Sequence, residues 1–447
     1  MRKYNEYKFS GIEWLNNIPS TWTVKRIKDL STTTSGTTPL SKNKAYYENG
    51  IYNWIRTTDL NNSELYQSEY KVTHTGIAEC NLSFIPIESI LVAMYGGFGT
   101  IGKNSILKTK STINQSVCAI LPKPSLFNST YLLYFFKYFR KDWKLFADGA
   151  RKDPNINQDA IKNLFIILPP LEEQNLIASF LDQKTAAIDK KILLLETKMT
   201  YYKELSKSII NEAVCKGLKK NMPLKESGID WIGQIPKHWQ IKRLKDVGYL
   251  YSGLSGKVGE DFHQEVNSNT KYYIPFTNIA NNKYINHEDF HTVEMNGKEK
   301  QNRVIKNDLF FLMSSEGFGD IGKAALLIED VKGTYLNSFC KGYRINKKGV
   351  VPRYLNYLLN SPAFRNKFIV QGKGFTRINL KMEKVSDFHI IIPPMEEQTE
   401  IADYLDNKTK TIEAIVKNIT AQIDALKELR KTLINDVVTG KLRVSEQ

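Results

Sequence analysis

Five residues, His287-Glu288-Asp289-Phe290-His291, have the spacing with which a zinc hydrolase sets two imidazoles on one helix face beside a glutamate base. That arrangement needs a helix and a third ligand. Here Asn281-Asn282 and Asn296-Gly297 bracket a short segment, and the matching stretch of the first half, around Ser68-Glu69, has no such pair. The two histidines are read as surface residues. Gly97-Phe98-Gly99-Thr100-Ile101-Gly102 and Gly317-Phe318-Gly319-Asp320-Ile321-Gly322 follow strand-like runs and spell the glycine pattern of a dinucleotide-binding turn. Such a turn must open a helix, with an acidic residue about 20 positions on. The first copy runs into a second strand instead, and no Asp or Glu occurs between Gly102 and Asp142. Each glycine loop is read as a tight hairpin that brings Lys103 or Lys323 toward a phosphate. Cys80, Cys118, Cys215 and Cys340 are far apart and form no CxxC pair, which predicts reduced thiols and no zinc ribbon. No Ser/His/Asp set and no Asn-Pro-Pro-aromatic methyltransferase motif is present. No catalytic residue and no metal ligand is assigned.

Without a catalytic constellation, the charge becomes the leading signal. Sixty-three Lys+Arg against 47 Asp+Glu leave a net charge of +16 over 447 residues, which points to a polyanion partner. Apolar content of 41% and charged content of 25% fit a globular chain of two to four domains. No apolar run approaches the roughly 20 residues that cross a bilayer. Met1 to Ser10 has no hydrophobic leader region, so the expected location is cytoplasmic.

The elements that would position a site are organised by a duplication. Ser10-Gly11-Ile12-Glu13-Trp14 recurs as Ser227-Gly228-Ile229-Asp230-Trp231, and Ile18-Pro19 with Trp22 recurs as Ile235-Pro236 with Trp239, at an offset of 217. The glycine loops recur at 220, Ile156-Asn157 as Ile378-Asn379 at 222, and Pro169-Pro170-Leu171-Glu172-Glu173-Gln174 as Pro393-Pro394-Met395-Glu396-Glu397-Gln398 at 224. Order is kept while the offset drifts by seven residues, the mark of a true repeat with small loop insertions. Gly36 to Leu91 and Gly253 to Leu309 share little beyond general pattern. One scaffold carrying two different loop sets suggests two different readings.

Each half predicts short strands, such as Ser89–Met94 and Asp308–Met313, punctuated by Gly, Asn and Pro. A short helix follows at Tyr131–Phe139 or Tyr354–Leu359, then a final strand, Leu164–Leu168 or Phe388–Ile392. After the Pro-Pro a long helix is expected, with proline in its first turn and two glutamates against the positive end of its dipole. Ile177, Leu181, Ile188, Ile192, Leu195, Met199, Tyr202, Leu205, Ile209 and Ala213 mark its apolar stripe. The second copy carries Ile401, Leu405, Ile412, Val416, Ile419, Ile423, Leu426, Leu429, Leu433 and Val437. Mixed three- and four-residue spacing predicts a coiled-coil seam. From Leu171 to Lys216 such a rod would span roughly 70 Å. Residues 171–218 are charge-neutral and 395–441 carry −2, so the remainder holds +18. The helices read as neutral spacers and the globular parts as the polyanion-binding surface.

These duplicated motifs together resemble the DNA specificity subunit of Type I restriction-modification systems, over essentially the whole chain. The resemblance implies an α+β fold: two tandem repeated α/β target recognition domains separated by two long antiparallel coiled-coil helices in a pseudo-two-fold arrangement. The expected divisions are a first recognition domain at 1–168, a spacer helix at 169–217 and a linker at 218–226, then a second recognition domain at 227–392, a second spacer helix at 393–441 and a tail at 442–447. It implies a non-catalytic chain that reads a bipartite, asymmetric site in double-stranded DNA, one half per domain. Two methyltransferase subunits and the restriction/translocase subunits would dock through the helices. S-adenosylmethionine, ATP and Mg²⁺ would belong to those partners, leaving this chain without a cofactor.

Arg, Lys, Asn and Gln are the side chains that read base edges with paired hydrogen bonds, and polar loop residues on the repeated skeleton are the candidates. In the first half these are Ser35-Gly36-Thr37-Thr38, Arg56-Thr57-Thr58, Lys103, Asn114-Gln115 and Arg151-Lys152. In the second they are Ser252-Gly253, Thr277-Asn278, Lys323, Asn337, Lys373 and Arg377. Phosphate contacts should outnumber base contacts. Two other classes compete. A fused restriction-methyltransferase is disfavoured because no catalytic motif, and no room for a further domain, remains. A coiled-coil scaffold that binds no DNA is disfavoured by the +18 outside the helices.

Overall fold

In the computed structural model, residues 3–97, 99–146, 155–263, 270–295, 299–374 and 377–444 are described. They divide into two compact units, one of residues 1–195 with 421–447 and one of residues 196–420. The first unit is built on a sheet of β1 (Thr33–Ser35), β2 (Glu64–Leu65), β3 (Ile90–Ala93), β4 (Asn104–Leu107) and β5 (Val117–Ile120), in the order β1-β5-β3-β4-β2. All its contacts are antiparallel except the parallel edge β2–β4, where Glu64 pairs with Ile106. The second unit has β6 (Gly248–Ser252), β7 (Leu309–Leu312), β8 (Ala324–Leu326) and β9 (Cys340–Ile345) in the order β6-β9-β7-β8. There an isolated parallel bridge, Tyr284 to Leu326, stands where β2 stands in the first unit.

The central strands are apolar on both faces, and the two-residue strand period sorts them into two cores. Ile90, Val92, Ile106, Cys118 and Ile120 point into one core of the first unit, whereas Leu91, Ala93, Leu107, Val117 and Ala119 point into another. Leu309, Phe311 and Leu326 against Phe310, Leu312 and Cys340 repeat this in the second. The first core of each unit is roofed by one short helix, α1 (Ser129–Phe139) or α3 (Pro352–Asn360). Asn128 caps α1 by accepting from Tyr131 N at 3.0 Å, and Pro352 sits in the first turn of α3, where no backbone donor is lost. Between α1 and α3 in the chain lies α2 (Leu171–Lys216), and α4 (Met395–Val438) ends the second half.

Within the first unit, Ile177, Ala178 and Leu181 near the start of α2 share a core with Ile434, Val437 and Val438 at the end of α4, and Arg430 meets Asp189 at 3.1 Å. In the second unit, Ala213 and Val214 at the end of α2 share a core with Ile401, Ala402 and Leu405 at the start of α4. Both pairings are antiparallel, the start of one helix lying against the end of the other. Among the described residues no helix is long and apolar enough to cross a membrane.

Candidate nucleic-acid interface

The closing strand of each globular part pairs with the strand after the first tryptophan motif, Phe165–Leu168 with Thr23–Arg26 and His389–Ile392 with Gln240–Arg243. This places the repeated motifs at the helix starts. The indole N–H of buried Trp22 donates to Glu173 at 3.0 Å, and that of Trp239 to Glu397 at 2.9 Å. The side-chain amide of Gln174 donates to Pro169 O at 2.9 Å and accepts from Asn128 N at 2.9 Å. Gln398 does the same with Pro393 O at 2.8 Å and Val351 N at 2.7 Å. The Pro-Pro-x-Glu-Glu-Gln sequence therefore locks the long helix to the N-terminal cap of α1 or α3. Its second glutamate does more than complement the helix dipole.

At the far ends of the sheets, three loops converge in each unit. Gly36 N donates to Asn114 O at 3.3 Å, Thr37 N to Ile113 O at 3.2 Å, and Asn114 N to Ile55 O at 2.9 Å, next to Arg56. Thr38 and Gln115 hydrogen-bond through their side chains. In the second unit Leu254 N donates to Leu336 O at 2.8 Å and Asn337 N to Ile274 O at 3.1 Å. Asn114 and Asn337 make the same local turn, accepting from Ser116 N at 3.1 Å and Phe339 N at 2.9 Å. Glycine is needed where the loops cross: a Cβ on Gly36 would lie 1.7 Å from Ile113 O, and one on Gly253 2.2 Å from Asn337 O. These backbone bonds bring Gly36-Thr37, Ile55 and Ile113-Asn114 together in the first unit, and Leu254, Ile274 and Leu336-Asn337 in the second, with residues 35–38, 56–58 and 114–115, and 252 and 277, in the flanking segments.

The candidates differ in what they offer to solvent. Ser35, Thr37, Thr38, Thr58 and Gln115 are exposed, as are Thr277, Lys373 and Arg377; Thr57 and Lys103 are half-buried. Arg56 is held by Glu69 at 2.7 Å and stacks 3.8 Å over the Tyr70 ring. Lys341 reaches Ser252 Oγ at 3.0 Å. The Arg377 guanidinium lies 5.2 Å over the exposed ring of Phe339. Asn278 is buried, and its amide donates to Asn286 O at 2.7 Å. Lys323 donates to Ala280 O at 2.9 Å and pairs with Asp320 at 2.6 Å. Arg151 and Lys152 lie outside the described residues. The pairing of Arg56 with Tyr70 and of Arg377 with Phe339 was not read from sequence, because nothing in the spacing announces an aromatic partner from a neighbouring loop.

The glycine loops are hairpins: Gly102 N donates to Ala93 O at 2.9 Å and Gly322 N to Leu312 O at 2.7 Å, both glycines at positive φ near 70°. A strand, Asn104–Leu107 or Ala324–Leu326, follows each, so no helix terminus is presented to a phosphate. His287 opens a single 3-10 turn and pairs with Glu329 at 2.9 Å, while His291 begins a strand. No group of three or more potential metal ligands occurs among the described residues. Burial pushes the thiols of Cys118 and Cys340 up to about 12, which leaves both unreactive.

Comparison with known proteins agrees with this geometry. The Type I restriction modification DNA specificity domain matches twice, over residues 19–196 and 236–425. The chain is 29% identical to the Type I restriction enzyme MjaIX specificity subunit of Methanocaldococcus jannaschii, over 97% of this chain and 96% of that one. It is 21% identical to the EcoKI specificity subunit of Escherichia coli K12, over 95% and 90%. Among solved structures, the fold resembles a chain from a study of assembly and conformational transition of the Type I R-M system, with TM-score 0.73, 14% identity and coverage of 95% and 99%. It also resembles the HsdS subunit of Thermoanaerobacter tengcongensis, with TM-score 0.56, 14% identity and coverage of 95% and 98%. Duplicated scaffold, paired long helices and both domain matches establish that this chain belongs to the Type I restriction-modification DNA specificity family.

Proposed function

We propose that the chain is the non-catalytic subunit that gives a Type I restriction-modification complex its DNA sequence, each unit reading one half of a bipartite, asymmetric site. The observation that carries this reading is the pair of converging loop surfaces. Both rest on the same backbone crossing, at Gly36 with Ile113 and at Gly253 with Asn337, yet they present unlike side chains. Exposed Ser, Thr, Gln and Arg groups suit base edges in the major groove, and the +18 outside the long helices supplies the sequence-independent attraction. In this reading α2 and α4, each continuous from one unit into the other, set the gap between half-sites and carry the docking surface for two methyltransferase subunits. The restriction/translocase subunits join through that assembly. S-adenosylmethionine, ATP and Mg²⁺ act on the partner chains.

The test is to express the chain with its methyltransferase subunit in a host lacking other adenine methylation and to map the methylated positions. The reading expects one motif with two unlike specified halves around unspecified bases. A single uninterrupted motif, or methylation without sequence preference, contradicts it.

A further inference from the structure

The duplication allows one crevice to be compared with its own repeat. In the second unit, α3 and α4 are bridged by Tyr357, Asp406 and Thr409, and the chain closes the space above them with Lys283 and Tyr284. The Lys283 ammonium donates to Tyr357 Oη at 2.6 Å and Thr409 Oγ1 at 3.2 Å, and the Tyr284 hydroxyl donates to Asp406 at 2.6 Å. The first unit has the same receptor: Tyr134 Oη donates to Asp182 at 2.8 Å and lies 3.0 Å from Thr185 Oγ1. The backbone that should close it is also in place, because Glu64 pairs with Ile106 as Tyr284 pairs with Leu326. Yet the residues there are Ser63 and Glu64, both exposed, with Glu64 drawn away to Lys108 at 3.1 Å and Tyr66 at 2.6 Å.

The missing cation is replaced from another element. Lys137 lies 4.5 Å over the Tyr134 ring, as Lys283 lies 4.6 Å over that of Tyr357. Among the described residues no second phenol donates to Asp182 beside Tyr134. A cavity of about 1150 Å³ opens there, lined by Asp182, Tyr134, Lys137 and Tyr138, and flanked by the Arg430–Asp189 pair. That is above the usual size of a small-molecule pocket and fits several side chains.

We propose that this cavity is a docking slot for a tyrosine-bearing segment of a methyltransferase subunit, and that the second unit fills its own slot with Lys283 and Tyr284, so that two such subunits dock through unequal contacts. The proposal rests on the functional reading above. The repeat sets two cations at Asp406, Lys283 at 3.4 Å and Arg353 at 2.9 Å; here Lys137 and Arg430 already stand beside the space, and desolvation, then Arg430, hold Lys137 down to about 8, so a third cation is a poor occupant. Six basic and four acidic side chains line the space, and what favours a phenol over DNA is the Asp182 carboxylate, which accepts from a hydroxyl and repels a phosphate. A neutral phenol donating to Asp182 repeats what the chain does for itself at Asp406.

The experiment transfers the plug. Ser63→Lys with Glu64→Tyr in the full chain should fill the slot, and Lys283→Ser with Tyr284→Glu should open its repeat. Titration with purified methyltransferase subunit, followed by native mass spectrometry, reads the occupancy of each site. The plugged variant should lose affinity for one subunit by about tenfold or more, the scale of one anchoring side chain, with duplex DNA affinity unchanged. Glu64→Tyr alone, at an exposed position, gives the same reading should the double variant fold poorly. Unchanged affinity for both subunits in a folded, plugged variant overturns the slot and leaves the functional reading standing. A wild-type chain that takes up no methyltransferase subunit overturns both.

Discussion

Trp22 donates its indole N–H to Glu173 at 3.0 Å from a fully buried position, and this one bond joins the opening motif of the chain to the first turn of α2. Gly440, just past the end of α4, packs on the same ring, with its would-be Cβ 3.1 Å from Trp22 Cζ3. Trp239, Glu397 and Gly217 repeat the arrangement, with the would-be Cβ of Gly217 3.1 Å from the indole. Each tryptophan therefore gathers the start of one long helix and the end of the other. Trp22→Phe should destabilise the first unit by about 1–3 kcal/mol, the cost of removing one of the two donors, Trp22 and Tyr4, to the Glu173 carboxylate. Urea unfolding followed by circular dichroism checks this, and Trp239→Phe should act alike on the second unit.

At the loop crossings, Gly36→Ala forces a Cβ against Ile113 O and Gly253→Ala forces one against Asn337 O. Each should displace one recognition surface and spare the other. Methylation should persist with relaxed sequence preference in one half-site only, a different half for each variant, as motif mapping would show.

How much of this was legible beforehand depended on whether the signal was local. The long helices were legible from Pro-Pro, two glutamates and an unbroken apolar period: α2 runs from Leu171 to Lys216 and α4 from Met395 to Val438, beside expected spans of 169–217 and 393–441. From their flanking residues the glycine loops read as tight hairpins and the histidine pair as surface residues; the loops are hairpins, and His287 and His291 are exposed. The closure of Tyr357 by Lys283 and Tyr284 was not legible. It depends on a contact between residues 74 positions apart. Nor could spacing reveal that Asn278, picked as a polar loop residue, would spend its amide on Asn286 O inside the fold.

Lys137 gives a pH signature. Desolvation, with Arg430 adding to it, lowers its ammonium from the ordinary lysine range to about 8. Between that value and the unfolded value of about 10.4 the unfolded chain holds the proton and the folded chain does not, so stability should rise with pH across this window. Comparison with Lys137→Met isolates the effect: wild type should gain on the variant from pH 8 to pH 10. A constant difference in urea midpoint would show that Lys137 is not desolvated.

Affinity for random duplex DNA should fall steeply with salt, because the positive charge lies outside the long helices. A log–log slope of several units, measured by fluorescence anisotropy, is expected for a surface contacting several phosphates. A flat response would remove the electrostatic part of the account.

Lengthening both long helices by four residues, after Leu195 in α2 and after Thr420 in α4, keeps each apolar stripe nearly in phase and adds about 6 Å. At roughly 3.4 Å per base pair the unspecified gap should grow by about one or two base pairs, with both half-sites unchanged in sequence. An unaltered gap in an active complex would show that the helices do not set the spacing.

The central claim is that each unit reads its own half-site, and replacing residues 30–165 with those of a family member of different specificity tests it most directly. Mapping the methylated motif should show one half of the site changed to that of the donor, with the other half and the gap retained. A change in both halves, or in neither, would contradict independent reading by two units.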